Sequence, residues 1–178
     1  MFVGDSVGWH LARQADREHE RLGIQVVNAA VNGCPLTDAP LRRRSDSSTV
    51  PLVFPDECND AVNAYRDTVA EAQPDVVIMV FGASFLDENE IAPGDWHAPC
   101  SAPFDSWFQD QIRKSADALS STGATVYWVN SAYYRAEVDD RTPKWDDQID
   151  CENDSARAVV AQSNGAMGVI ELGEWACP

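Results

Sequence analysis

Short apolar, β-branched runs alternate along the chain with stretches whose apolar residues recur every three or four positions. The runs at Phe2 to Val3, Ile24 to Ala30, Val76 to Phe81, Thr125 to Asn130 and Gly168 to Glu171 predict five strands. Between them, Val7, Leu11, Ala15 and Leu22 share one helical face, and Phe104, Trp107, Phe108, Ile112, Ala116 and Leu119 share another. Helices are therefore expected over Val7 to Leu22, Asn59 to Ala72 and Phe104 to Leu119. Stops fall at Gly23, Gly123 and Gly165, and Gln73-Pro74-Asp75 closes the middle helix. The aromatic face of the 104 to 119 helix reads as core packing. Such alternation signals an α/β fold: a three-layer αβα sandwich around a mainly parallel five-stranded sheet, covered on both faces.

Two connections are longer than this architecture needs. Cys34 to Pro55 carries Arg42, Arg43 and Arg44 in succession, and Phe85 to Pro103 is rich in Pro, Asp and Trp. Both follow the carboxyl ends of predicted strands. In an open α/β sheet ligands bind at that rim, so these insertions are expected to form the walls of a site.

Composition narrows the partners. The 178 residues suit a single domain, 1–178. Lys and Arg total 13 against 29 Asp and Glu, and a formal charge of -16 disfavours nucleic acid and anionic membrane surfaces. The longest apolar run, Val76 to Ala83, is too short to span a bilayer. Only Met1 to Val3 precede the first turn, where a buried strand usually has about five or six residues, so the domain is expected to be curtailed at its start.

The cysteines add a compartment. Cys34, Cys58, Cys100, Cys151 and Cys177 form no C-x-x-C pair and none adjoins a histidine, so neither a metal nor a cofactor is expected. The first four sit in Pro- or Asp-bearing, loop-like stretches, where an oxidising compartment favours disulfide staples. The expected pairs are Cys34 with Cys58 and Cys100 with Cys151. Cys177 is left over.

Candidate chemistry centres on Gly4-Asp5-Ser6. A strand that ends in glycine and enters a helix through Asp-Ser places Ser6 in the first helical turn, on the ligand rim. Unpaired N–H groups and the positive helix end there stabilise an alkoxide or a tetrahedral oxyanion. Asp-Ser is also a common capping pattern, so Ser6 reads as either nucleophile or cap. Two more strand ends converge on the same rim. Gly33 permits a tight turn that aims its N–H toward Ser6, and Ser84, after Gly82-Ala83, offers a hydroxyl as an oxyanion donor. Of the histidines, His10 lies four residues after Ser6, His97 lies in the second long connection and His19 is expected to face solvent. Trp9, Trp96, Trp107 and Trp145 offer stacking surfaces for sugar rings, which keeps a non-catalytic carbohydrate-binding or interaction module as the alternative. The Gly4 to Gly8 spacing matches neither a dinucleotide fingerprint nor a phosphate-binding loop with its lysine.

In this order, Gly4-Asp5-Ser6, Gly33 and Gly82-Ala83-Ser84 resemble the first three blocks of the SGNH (GDSL-type) hydrolase superfamily. The cysteine-bearing "NGCPLT" stretch, and a third block without the usual asparagine, are most similar to SGNH domains attached to acyltransferase family three membrane proteins. The resemblance implies a flavodoxin-like SGNH hydrolase fold and acyl transfer through a Ser6 acyl-enzyme. Ser6, Gly33 and Ser84 would form the oxyanion hole. The implied partners are an acyl donor, with acetyl as the expected group, and a carbohydrate acceptor of the bacterial cell surface. The implied location is extracytoplasmic, tethered through a fused membrane region. The family's last block, Asp-x-x-His, is absent from these residues, so the domain is also expected to be truncated at its carboxyl end.

Overall fold

The computed structural model describes all residues except 46–47, 55, 83–85, 134–141 and 177–178. Its central sheet is parallel, built from β1 (Phe2–Gly4), β4 (Val76–Val80), β7 (Thr125–Val129) and β8 (Met167–Ile170), in the order β1-β4-β7-β8. The registers pair Gly4 with Val80, Val80 with Val129 and Val129 with Ile170, so all four carboxyl ends lie on one rim.

The expected fifth strand is not regular. Residues 24–30 run parallel to β1 on its outer side, held by Phe2 N–H to the Val27 carbonyl at 2.8 Å, Ala29 N–H to the Phe2 carbonyl at 2.9 Å and Val31 N–H to the Gly4 carbonyl at 2.9 Å. Only the Phe2 and Asn28 pair forms a bridge. The Asn28 side chain accepts from Ala30 N–H at 3.2 Å and donates to the Trp9 carbonyl, a local alternative that interrupts the ladder. The segment still extends the sheet to five positions.

Helices cover both faces. The expected first helix divides into α1 (Ser6–Arg17) and α2 (His19–Leu22), because the Glu18 N–H turns back to the Ala15 and Asp16 carbonyls. Gly23 ends α2 in the left-handed conformation, at φ 65°. The next two elements match expectation closely, as α3 (Ala61–Ala72) and α4 (Ala102–Leu119). The periodicity did not expose α5 (Thr142–Gln162), which lies beside α4, nor the short α6 (Leu172–Ala176). Phe104, Phe108, Ile112 and Leu119 of α4 are fully buried with Val77, Met79, Phe81, Val126 and Trp128 of the sheet. Each such side chain contributes about 1.5–3 kcal/mol on burial. On the opposite face, α1 lies against β1 and β4.

The long insertions build something the sequence reading treated only as loops. β2 (Leu41–Ser45) and β3 (Ser48–Leu52) come from the first, and β5 (Glu88–Ala92) and β6 (Asp95–His97) from the second. Together they form an antiparallel sheet in the order β3-β2-β5-β6. Ion pairs Arg42–Glu88 at 2.7 Å and Arg43–Asp87 at 2.8 Å tie the two insertions together. Both expected disulfides are present, Cys34–Cys58 and Cys100–Cys151. The first ties the Gly33 turn to the segment before α3, and the second ties the segment before α4 to α5.

One buried acid stands out. Glu152 on α5 is fully enclosed, its Oε1 has no hydrogen-bond partner, and burial raises its pKa well above the ordinary carboxylate range. A carboxyl raised on folding binds its proton more tightly in the folded state. It supports stability below the ordinary carboxylate pKa and withdraws that support as pH rises toward the folded value. Glu152→Gln removes this titration. Its melting temperature is expected to exceed the parent's by several degrees at pH 8, with the gap closing toward pH 4, measured by thermal denaturation across that range.

Candidate active site

The rim of the parallel sheet brings together Asp5, Ser6, the turn at 31–33, Phe81-Gly82 and Asn130-Ser131. Gly4 makes this possible. Its φ of 143° is a conformation that residues with a Cβ rarely adopt, and an added Cβ would lie 1.7 Å from the Val80 carbonyl oxygen. The backbone of β1 therefore touches the end of β4 as the chain turns into α1.

Asp5, not Ser6, is the helix cap. Its Oδ1 accepts from Val7 N–H at 2.8 Å, and its Oδ2 accepts from Gly82 N–H at 2.7 Å. The buried carboxylate thereby fastens the start of α1 to the end of β4 across 77 positions of sequence. Tyr65 of α3 is pushed to a higher pKa, first by its burial and then by the charge of Asp5. The sequence reading did not see this clamp.

Because Asp5 caps the helix, the Ser6 hydroxyl is left unspent. Ser6 is exposed, and among the described residues neither its hydroxyl nor its N–H makes a hydrogen bond. It stands in the first turn of α1, at the positive end of the helix. Gly33 occupies a turn at φ 79°, set beside residues 4–6 by the Val31 N–H bond to the Gly4 carbonyl and closed by Cys34 N–H to the Val31 carbonyl at 3.1 Å. Its N–H also has no acceptor among the described residues. With the Val7 and Gly82 donors taken by Asp5, the amides of Ser6 and Gly33 stay uncommitted among the described residues. Ser84 lies outside the described residues.

Beyond Gly82 the rim opens into an apolar cavity of about 220 Å³, lined by Val7, Phe81, Gly82, Ser131, Ile149 and Leu172 among others. Its far wall is fixed by amides that the sequence reading missed. Asn153 of α5 clamps residue 131 from both sides, accepting from its N–H at 2.8 Å and donating to its carbonyl at 2.9 Å. Buried Asn130 donates to Glu171 and accepts from Gly173 N–H at 2.8 Å, which holds Leu172 in place. Glu171 is in turn paired with Arg157 at 2.8 Å, and that hydrogen bond is the main reason its pKa is lowered.

The three histidines lie apart from this chemistry. His10 is exposed and meets Trp9 edge-on, with ring centroids 5.0 Å apart. His19 contacts the Asp16 carbonyl at 2.6 Å, and His97 pairs with Asp95 at 2.8 Å on the outer strand of the second sheet. None hydrogen-bonds to Ser6.

A four-stranded parallel sheet flanked by helices is the fold of SGNH hydrolases. The chain belongs to the family described as "SGNH domain (fused to AT3 domains)", which it matches over residues 1–170. Among solved structures it is similar to TesA, at 18% identity and a TM-score of 0.54, covering 93% of this chain and 74% of that one. It is also similar to the psychrotrophic esterase EstA from Pseudoalteromonas sp., at 13% identity and TM-score 0.52, covering 95% and 75% of the two chains. The lipase/acylhydrolase from Enterococcus faecalis gives 16% identity and TM-score 0.53, covering 98% and 76%. No curated protein sequence matches the chain. Among the described residues no helix is long and apolar enough to cross a membrane.

Proposed function

We propose that this domain transfers acyl groups, acetyl foremost, to or from esters of a cell-surface polysaccharide through a Ser6 acyl-enzyme. The observation that carries the reading is the unspent hydroxyl of Ser6, together with the uncommitted N–H groups of Ser6 and Gly33 on the same rim. In this reading Ser6 Oγ attacks the ester carbonyl, its proton passes through a base to the departing alcohol, and the two amides hold the oxyanion. An acceptor hydroxyl or water then attacks the acyl-enzyme and regenerates Ser6. The cavity beside Val7, at about 220 Å³, is of a size for a short acyl group.

A nucleophilic serine needs a base. We assign that role to a histidine of the Asp-x-x-His type rather than to His10, His19 or His97, since none of these hydrogen-bonds to Ser6. Two disulfides and the family's fusion to AT3 domains support an extracytoplasmic place beside a membrane acyltransferase, which would supply the acyl donor.

The test is covalent. A fluorophosphonate applied to the full-length protein is expected to add to the Ser6 peptide, read by mass spectrometry after proteolysis. EstA, a protein of similar fold, was crystallised inhibited by monoethylphosphonate. A full-length protein that stays unlabelled at Ser6 would overturn the acyl-enzyme.

A further inference from the structure

We propose that the groove between residues 37–40, the β5–β6 hairpin and α4 binds an uncharged saccharide. The groove holds about 410 Å³, within the roughly 300–1,000 Å³ usual for small-molecule sites, and shares no lining residue with the cavity beside Val7. Its walls are built on regular structure. Glu90 N–H donates to the Pro40 carbonyl at 2.9 Å and Leu41 pairs with Asn89, so the second sheet holds the two insertions in fixed relation.

The lining matches the two-sided chemistry of a sugar ring. Trp107 supplies a half-buried indole, backed by Phe104 at 5.5 Å between ring centroids. Two other indoles are already covered by cations: Trp9 by Arg13 at 4.6 Å and Trp96 by Arg42 at 4.2 Å. Against the apolar face of a sugar stand hydrogen-bonding groups for its hydroxyls. The Asp38 carboxylate and the Gln111 amide have no hydrogen-bond partner among the described residues. Glu90 uses Oε1 to accept from Gly94 N–H at 2.6 Å and keeps Oε2 available. The Thr37 hydroxyl accepts from Ala39 N–H at 3.3 Å and still has a proton to give.

Charge selects among saccharides. Among the described residues the groove is lined by no Lys or Arg, and the chain carries -16, so sulfated and uronic acid sugars are repelled. Hydroxyls, which both donate and accept, satisfy carboxylates and amides alike. The inference deepens the acyl-transfer reading by placing its acceptor and rests on that reading for the acceptor role alone. Binding itself is independent of Ser6.

Amide NMR spectra of the protein, titrated with cellohexaose, maltohexaose and mannohexaose, test it. A heparin hexasaccharide and an uncharged Gly-Ser-Ala peptide serve as the other arms. At least one neutral hexasaccharide is expected to shift the amides of residues 37–39, 90–92 and 107–111 at millimolar concentration, while heparin and the peptide do not. The double substitution Asp38→Ala, Gln111→Ala, at one exposed and one half-buried position, is expected to weaken that binding by roughly tenfold or more. Trp107→Phe keeps an aromatic ring against the core, so it folds and weakens binding less. Ser6→Ala binds as the parent does, which separates failure of this site from failure of the acyl-enzyme. Absence of shifts with every neutral hexasaccharide, shifts from the peptide or heparin instead, or undiminished binding by the double variant would each overturn the proposal.

Discussion

Replacing Ser6 with alanine is expected to lower acyl transfer by the full-length protein by on the order of 10³-fold or more, with its melting temperature unchanged. The two halves of this expectation have separate causes. Loss of the hydroxyl removes the atom that would form the acyl bond, and no neighbouring hydroxyl on the described rim shares its place at the start of α1. Stability is spared because Ser6 is exposed and makes no hydrogen bond, while the capping of α1 belongs to the Asp5 carboxylate. A surface substitution that leaves the cap intact changes stability by about 0.5 kcal/mol or less. Release of acetate from a chromogenic ester, run beside a thermal scan, gives both readings. Turnover by Ser6→Ala at the parent's rate would remove Ser6 from the chemistry, whereas loss of turnover with a lowered melting point would mean that Ser6 is structural.

The elements legible in the sequence are those whose local pattern agrees with their tertiary surroundings. Val76–Val80 and Thr125–Val129 are central strands buried between helices, and a continuous β-branched run is what such a place selects. The α4 stripe of Phe104, Phe108 and Ile112 is legible for the same reason, since it packs on that sheet. By contrast, α5 hides its inward face. Gln148, Glu152, Asn153 and Ser155 are all buried there beside Ile149, Ala156 and Val159, so polarity at inward positions erased the apolar period. The second sheet is illegible locally, because three successive arginines in β2 argue against a strand until Glu88 and Asp87 arrive from a segment more than forty positions away.

The candidate site divides along the same line. Ser6 and Gly33 are visible because a glycine at a strand end and a short polar residue at a helix start are signals within a few residues of each other. The cysteine pairs were accessible because loop-like surroundings at both partners suit a staple better than a core thiol. What assigns the roles is not local. That Asp5 consumes the Val7 and Gly82 amides, and so leaves Ser6 unspent, depends on a contact between β1 and β4 that no short window contains. The same holds for Asn130 and Asn153, whose side chains shape the cavity by binding backbone contributed by other elements.

Gly4→Ala is expected to abolish folding, a larger structural effect than any other single methyl group would have on this rim. An alanine Cβ would sit 1.7 Å from the Val80 carbonyl oxygen and 2.7 Å from its carbon, distances that no bonded neighbour can relax, since both atoms belong to the backbone of a central strand. The φ of 143° adds strain of its own. Separating β1 from β4 to make room would break the Asp5 N–H bond to the Val80 carbonyl at 3.3 Å and draw the Asp5 carboxylate away from Gly82 N–H. The combined cost exceeds about 4–5 kcal/mol, a large share of the roughly 5–15 kcal/mol that holds a domain together. Gly94→Ala is the control, because Gly94 also has positive φ, at 79°, yet an added Cβ meets nothing within 4 Å. Its cost is expected to be about 1 kcal/mol, the price of backbone conformation alone. Urea unfolding of the two variants separates steric collision from conformational preference. A Gly4→Ala protein as stable as Gly94→Ala would mean that β1 does not approach β4 this closely, and the junction that positions Ser6 would have to be redrawn.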